Sequence, residues 1–170
     1  MTHTSVGTTK ARAIRVSLPL CRSGLGLGTG VQTSEGELPV EFLAPGDKIV
    51  TFDAGLVTLS RVDVRTVPMR ELVRIRPSVL SEHGQGRDVV LSARQKLLIR
   101  DWRAPVMFGK SAALVEARKL VDGAYMTQLT GTAPMRMFQL MFDTEQHVIQ
   151  LTQGLQATSA KLPRRVASPA

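Results

Sequence analysis

Gly28-Thr29-Gly30-Val31-Gln32-Thr33-Ser34-Glu35-Gly36-Glu37-Leu38-Pro39-Val40-Glu41-Phe42-Leu43-Ala44-Pro45-Gly46-Asp47 is the stretch whose reading decides the fold. A strand is expected from Val31, closed by a turn at Thr33-Ser34-Glu35-Gly36. Leu38-Pro39-Val40-Glu41-Phe42-Leu43 then alternates apolar and polar at period two, as a half-buried strand does. Pro45-Gly46-Asp47 supplies the next turn, because proline presets one backbone angle, glycine accepts the left-handed region and aspartate bonds local backbone. Lys48-Ile49-Val50-Thr51-Phe52 reads as a strand, and Asp53-Ala54-Gly55 turns the chain again.

The same punctuation continues downstream. Residues 56–67 place Val57, Leu59, Val62, Val64 and Val67 among polar neighbours, which reads as one long or two bent strands. Further strands are expected at Leu72-Val73-Arg74-Ile75-Arg76, Asp88-Val89-Val90-Leu91-Ser92, Lys96-Leu97-Leu98-Ile99-Arg100, Met137-Phe138-Gln139-Leu140-Met141-Phe142 and His147-Val148-Ile149-Gln150-Leu151. One helix is expected after a Ser111 N-cap, with Leu114, Ala117 and Val121 on its apolar stripe and Gly123 as its left-handed stop. A second short helical segment is expected at Pro77-Ser78-Val79-Leu80. Trp102, the one tryptophan, is expected to be a ring packed beside a turn. The fold class is therefore all-β with one short helix.

With 170 residues and 43% apolar side chains, the chain can bury one real core. Residues 1–17 are expected to be a flexible basic lead-in, 18–159 the folded unit and 160–170 a disordered basic tail. No apolar run is long enough to cross a bilayer, so membrane association is not expected. No leader with a proper apolar region is evident, which gives a cytoplasmic reading by default. A monomer is expected, with an unidentified protein as the partner.

The net charge is +8, from 22 Lys and Arg against 14 Asp and Glu. A polyanion partner is thereby worth considering, since clustered basic residues neutralise phosphates and release counterions. Here the basic residues alternate with Val, Leu and Ile through 61–103 instead of forming a block, and aromatic side chains for base stacking are few. Nucleic-acid binding is disfavoured, and a basic β module for anionic polymers is kept as a lower alternative. The glycine run at 24–30 lacks both a dinucleotide-binding register and a following Lys-Ser or Lys-Thr, so no nucleotide cofactor is expected. Three histidines at positions 3, 83 and 147 lack metal spacing, and the single cysteine, Cys21, excludes an internal disulfide.

The order of these blocks resembles bacterial Hint domains, the Hedgehog/intein-type autoprocessing modules. In that family a Gly-Thr pair and a Thr-x-x-Gly turn precede a Pro-Val-Glu-x-Leu-x-Pro-Gly-Asp stretch, matched here by 28–47. Ser92-Ala93-Arg94-Gln95, Leu98-Ile99-Arg100-Asp101-Trp102-Arg103-Ala104, Ala117-Arg118-Lys119-Leu120-Val121-Asp122-Gly123 and Phe138-Gln139-Leu140-Met141-Phe142-Asp143 follow in the family's order, so the resemblance spans roughly 21–159. It implies a flattened pseudo-two-fold β fold and an N-to-S acyl shift. In that step a cysteine thiol attacks the preceding carbonyl, a carbon–sulfur bond forms, the carbon–nitrogen bond breaks and the leaving nitrogen takes a proton. The step needs a placed nucleophile, a proton donor and donors for the oxyanion.

The resemblance also implies that this chemistry is eroded. The family's cysteine, four residues before Gly-Thr, falls on Gly24, while Cys21 lies three residues earlier. Either an insertion lets Cys21 act, with cleavage at Leu20-Cys21 releasing residues 1–20, or Cys21 is a packed residue without chemistry. The family's central histidine falls on Gln95, whose amide donates hydrogen bonds but delivers no proton at neutral pH. His147 takes the late histidine position counted back from Gly154, whereas a count forward from Asp143 gives Glu145. The candidate catalytic positions are thus Cys21, Gln95 and His147, with no cofactor and no metal. Two functions compete: a Hint-like domain with lost or weakened self-cleavage serving as a folded or interaction module, and an active autoprocessing domain.

Overall fold

The computed structural model describes residues 23–77, 86–143 and 145–162. The expected lead-in at 1–17, Cys21, His3, His83, the tail from 163 onward, and the short helical segment at 77–80 beyond Pro77 lie outside the described residues.

Among the described residues fourteen strands form two antiparallel sheets, and one α-helix is set between two of the strands in the chain. The strands are β1 (Leu25–Gly26), β2 (Gly30–Thr33), β3 (Gly36–Pro39), β4 (Lys48–Thr51), β5 (Gly55–Thr58), β6 (Arg61–Pro68) and β7 (Leu72–Ile75). They continue as β8 (Val89–Ser92), β9 (Lys96–Ile99), β10 (Ala113–Glu116), β11 (Met126–Gln128), β12 (Pro134–Met141), β13 (Val148–Gln150) and β14 (Gln156–Thr158). The helix α1 is Arg103–Phe108. One sheet runs β11-β7-β8-β1-β12-β6; the other runs β10-β9-β14-β13-β4-β2-β3, with β5 paired to β4. The first and last strands among the described residues, β1 and β14, therefore lie inside sheets, not at their edges. Among the described residues no helix is long and apolar enough to cross a membrane.

The alternating sequence accounts for the layering. Val31, Ile49, Val73, Leu91, Leu97, Leu140 and Ile149, each almost fully buried, come from different strands and share one core cluster. The stretch at 56–67 resolves into two strands, β5 and β6. The long β12 pairs with all of β6, from Pro134 opposite Pro68 to Met141 opposite Arg61. The turn at Pro45-Gly46-Asp47 forms as expected: Gly46 has φ of 100°, and Asp47 Oδ2 accepts from Ala44 N at 2.9 Å.

Three expectations are corrected. The run 38–43 is not one strand: β3 ends at Pro39 and a 3-10 turn, Val40–Phe42, follows. Pro39 has no N–H to extend the ladder, and Val40 N instead donates to Thr29 O at 2.8 Å, which drives the Val40 side chain into the core. The helix expected after Ser111 is also absent. Residues Ala113–Glu116 form β10, paired residue by residue with β9, and a 3-10 turn, Ala117–Leu120, follows. Cross-strand burial of Val115 against Leu97 outweighs a modest local helix preference.

The true helix lies earlier, where Asp101 Oδ1 accepts from Arg103 N at 3.0 Å and Gly109, at φ of 65°, closes the C-terminus. Trp102 stands at the start of α1 and is 72% exposed, because Ala104 is the helix residue turned to the core. It is not a packed ring. Gly123 does adopt the expected left-handed conformation, but in the turn between the 3-10 segment and β11.

β1 is only two residues long and sits between β8 and β12. It fits because Gly26 has no side chain: a Cβ there would lie 2.7 Å from Val90 O and 3.0 Å from Val90 Cβ. The obstacle is a strand of the sheet itself, which cannot step aside cheaply. Gly26→Ala is expected to lower stability by about 1–3 kcal/mol, in the range for overpacking. Urea denaturation followed by circular dichroism measures it, and an unchanged midpoint would contradict the close approach.

Candidate functional site

The site is built around a buried glutamine. Ser92-Ala93-Arg94-Gln95 forms the tight turn between β8 and β9, closed by Gln95 N donating to Ser92 O at 2.9 Å. This turn carries the Gln95 side chain into the interior, where the residue is 1% exposed. There its Oε1 accepts from Gly24 N at 2.9 Å, and its Nε2 donates to Thr158 O at 2.8 Å and Lys96 O at 3.1 Å. A backbone N–H can only donate and a backbone carbonyl can only accept, so the orientation of the amide is fixed by its partners.

The structure thus brings residues 24 and 95 together, as the sequence argument requires. Gly24 itself is buried, and its carbonyl accepts from Ser92 N at 3.0 Å. On the other side of the same peptide group, Ser23 O accepts from Gln139 Nε2 at 2.9 Å. Gln139 Oε1 in turn accepts from Arg65 Nε at 3.1 Å. The Ser23-Gly24 peptide is therefore gripped at both ends, its N–H by Gln95 and its C=O by Gln139.

Chemically the two ends differ. A donor on the carbonyl oxygen, backed by a guanidinium on the donor's own amide, is of the type that stabilises a developing oxyanion. The partner of the nitrogen is an acceptor, which holds the N–H and supplies no proton. Position 24 offers no side chain to attack the carbonyl. Gln139 and Arg65 were missed by sequence reasoning; the available signal was a lone polar residue in the apolar run 137–142.

His147 occupies a neighbouring but separate position. It is 4% exposed; its Nδ1 lies 2.8 Å from Asp53 Oδ2, and its ring meets Phe142 edge-on at 5.1 Å. Its backbone exchanges bonds with Ser159, which accepts from His147 N through Oγ at 3.0 Å and donates its N–H to His147 O at 2.8 Å. Gln95 and His147 thus flank adjacent residues, Thr158 and Ser159, yet their side chains share no hydrogen-bond partner: one turns to Gly24, the other to Asp53. Glu145, the competing position, is exposed. Among the described residues no group of three His, Cys, Asp or Glu could hold a metal ion.

Asp53 draws the β4–β5 turn against β13, because its Oδ1 also accepts from Val148 N at 2.8 Å. Burial alone would raise its carboxyl pKa, but the bonds from Val148 and His147 outweigh that and hold it below the ordinary carboxylate value.

The model of the Hint domain family matches residues 24–162. This chain belongs to the Hint domain family. The solved structures agree in fold. The TvoVMA intein is 13% identical, with a TM-score of 0.53 over 80% of this chain and 96% of that one. A bacterial intein-like domain from Clostridium thermocellum is 14% identical, with a TM-score of 0.52 over 79% and 96%. A splice-inactive variant of the AceL NrdHF class 3 split intein is 13% identical, with a TM-score of 0.51 over 80% and 96%. No curated protein matches the sequence. In this Hint domain the family match opens on Gly24, the residue whose N–H Gln95 holds, and Cys21 precedes it.

Gln95→Leu would leave the Gly24 N–H and the Thr158 C=O buried without partners. It is expected to cost this Hint domain about 2–4 kcal/mol, since each buried unsatisfied group costs roughly 1–3 kcal/mol. Chemical denaturation tests this, and a loss below about 1 kcal/mol would show the bonds to be incidental. For Asp53 the folded pKa is depressed, so its contribution is present above the unfolded carboxylate value near 4 and lost as pH falls through the folded value. Asp53→Asn should therefore reduce stability at neutral pH and flatten its decline below about pH 4, read from melting temperature against pH.

Proposed function

We propose that this Hint domain is a folded module whose self-cleaving chemistry is lost, and which acts through its surfaces. The observation that carries the reading is the hydrogen bond from Gly24 N–H to Gln95 Oε1 at 2.9 Å. At the two positions where the resemblance puts a nucleophile and a proton donor stand a residue with no side chain and an amide that accepts. Losing a general acid alone removes about 10²–10⁴ in rate, and without a nucleophile at 24 no thioester forms there.

The buried glutamine also has a positive role in this reading. It is neutral and supplies donor and acceptor at once, so it satisfies both the Gly24 N–H and the Thr158 C=O without a buried charge. A proton-carrying side chain at 95 would make that tie dependent on pH. The chain instead has a tie that is permanent, which suits a module that stays whole.

The test is intact mass spectrometry of the purified full-length chain after incubation with hydroxylamine or a thiol. A single unchanged mass is expected. Release of residues 1–20, abolished by Cys21→Ala, would overturn the reading and establish cleavage at Leu20-Cys21.

A further inference from the structure

The strongest feature outside the Gln95 site is the free end of the larger sheet. β10 closes that sheet, and among the described residues only β9 pairs with it. Ala117 N donates to Gln95 O at 2.9 Å, which sets the register of bonded pairs along this ladder. In an antiparallel pair the bonded residues alternate, so 117, 115 and 113 face β9, and the backbone N–H and C=O of Leu114 and Glu116 face outward.

A groove of about 690 Å³ runs along this edge and is lined by all four β10 residues. Phe108 from the end of α1 and Leu114, which is 49% exposed, give it apolar surface. Lys96, Lys110 and Lys119 give it charge. The one acid in the lining, Glu116, bonds Arg118 Nε at 2.5 Å and also feels the Lys119 charge, so three ammonium groups stand against a single carboxylate that Arg118 already engages. Outward backbone groups at alternate residues, an apolar strip and a surplus of positive charge complement one kind of partner.

We infer that the β10 edge takes up an extended acidic peptide segment of another protein, added as a further strand, with its acids against Lys96, Lys110 and Lys119 and its apolar side chains against Phe108 and Leu114. Backbone bonding supplies register and the lysines supply selectivity, as in other cases of strand addition. A nucleic acid is favoured less, because one half-buried phenylalanine is a poor stacking platform. The inference deepens the module reading and fails separately from it: peptide binding and intact mass are independent measurements.

The experiment uses the full chain and a fluorescein-labelled eight-residue peptide of alternating glutamate and valine, read by anisotropy. Saturable binding is expected, at least about tenfold tighter than that of an alternating lysine and valine peptide. Leu114→Pro deletes the outward N–H without touching the bonds to β9 and should weaken binding about tenfold. Lys110→Glu combined with Lys119→Glu, both exposed, should do the same and decides the matter if the proline variant fails to fold. Equal affinity for the two peptides, or peptide binding unchanged in the folded variants, would overturn the inference. So would single-stranded DNA that displaces the peptide and binds the proline variant as well as the native chain, since that pattern marks a general polyanion surface.

Discussion

One side-chain amide joins the two halves of this domain. Gln95 reaches from the β8–β9 turn to Gly24, which leads into a central strand of one sheet, and to Thr158, which ends a central strand of the other. A protein hydrogen bond contributes a modest net amount, about 0.5–1.5 kcal/mol, but a buried backbone group left without one costs more than that. The weight of Gln95 lies in this asymmetry. β1 is too short to hold itself in place by ladder bonds, and Gly26, pressed against Val90, gives it no side chain to anchor it beyond Leu25. The grip on the peptide before it, by Gln95 and Gln139, compensates for that brevity.

The same grip meets the two ends of the peptide group differently. An acyl shift requires the carbonyl carbon to be attacked while the nitrogen is protonated. Here the carbonyl has a donor in Gln139, whose own amide oxygen accepts from Arg65, and the nitrogen has an acceptor in Gln95. His147, buried against Phe142 and bonded to Asp53, is placed to fasten β13 to the β4–β5 turn.

What the sequence disclosed, and what it withheld, follows from the range of the interactions. Turns such as Pro45-Gly46-Asp47 and strands such as Lys48–Thr51 were legible because their causes lie within a few residues. The meeting of 24 with 95 was legible only through the family's spacing, since 71 residues separate them. Gln139 showed only as a lone polar residue in an apolar run, with nothing nearby to name Ser23, 116 residues away, as its partner, and His147 had no local sign of Asp53, 94 residues away. Residues Ala113–Glu116 misled because Ala, Leu and Glu favour helix locally, whereas the partner that makes them a strand is β9. Trp102 misled in the opposite way: bulk suggested burial, but its place at the outset of α1 turns it outward.

The joint bond of Gly24 and Thr158 to a single amide has a mechanical meaning as well. Gly24 and Thr158 lie near the two ends of the described residues, so a pull between those ends would bear on the one buried amide that both are bonded to.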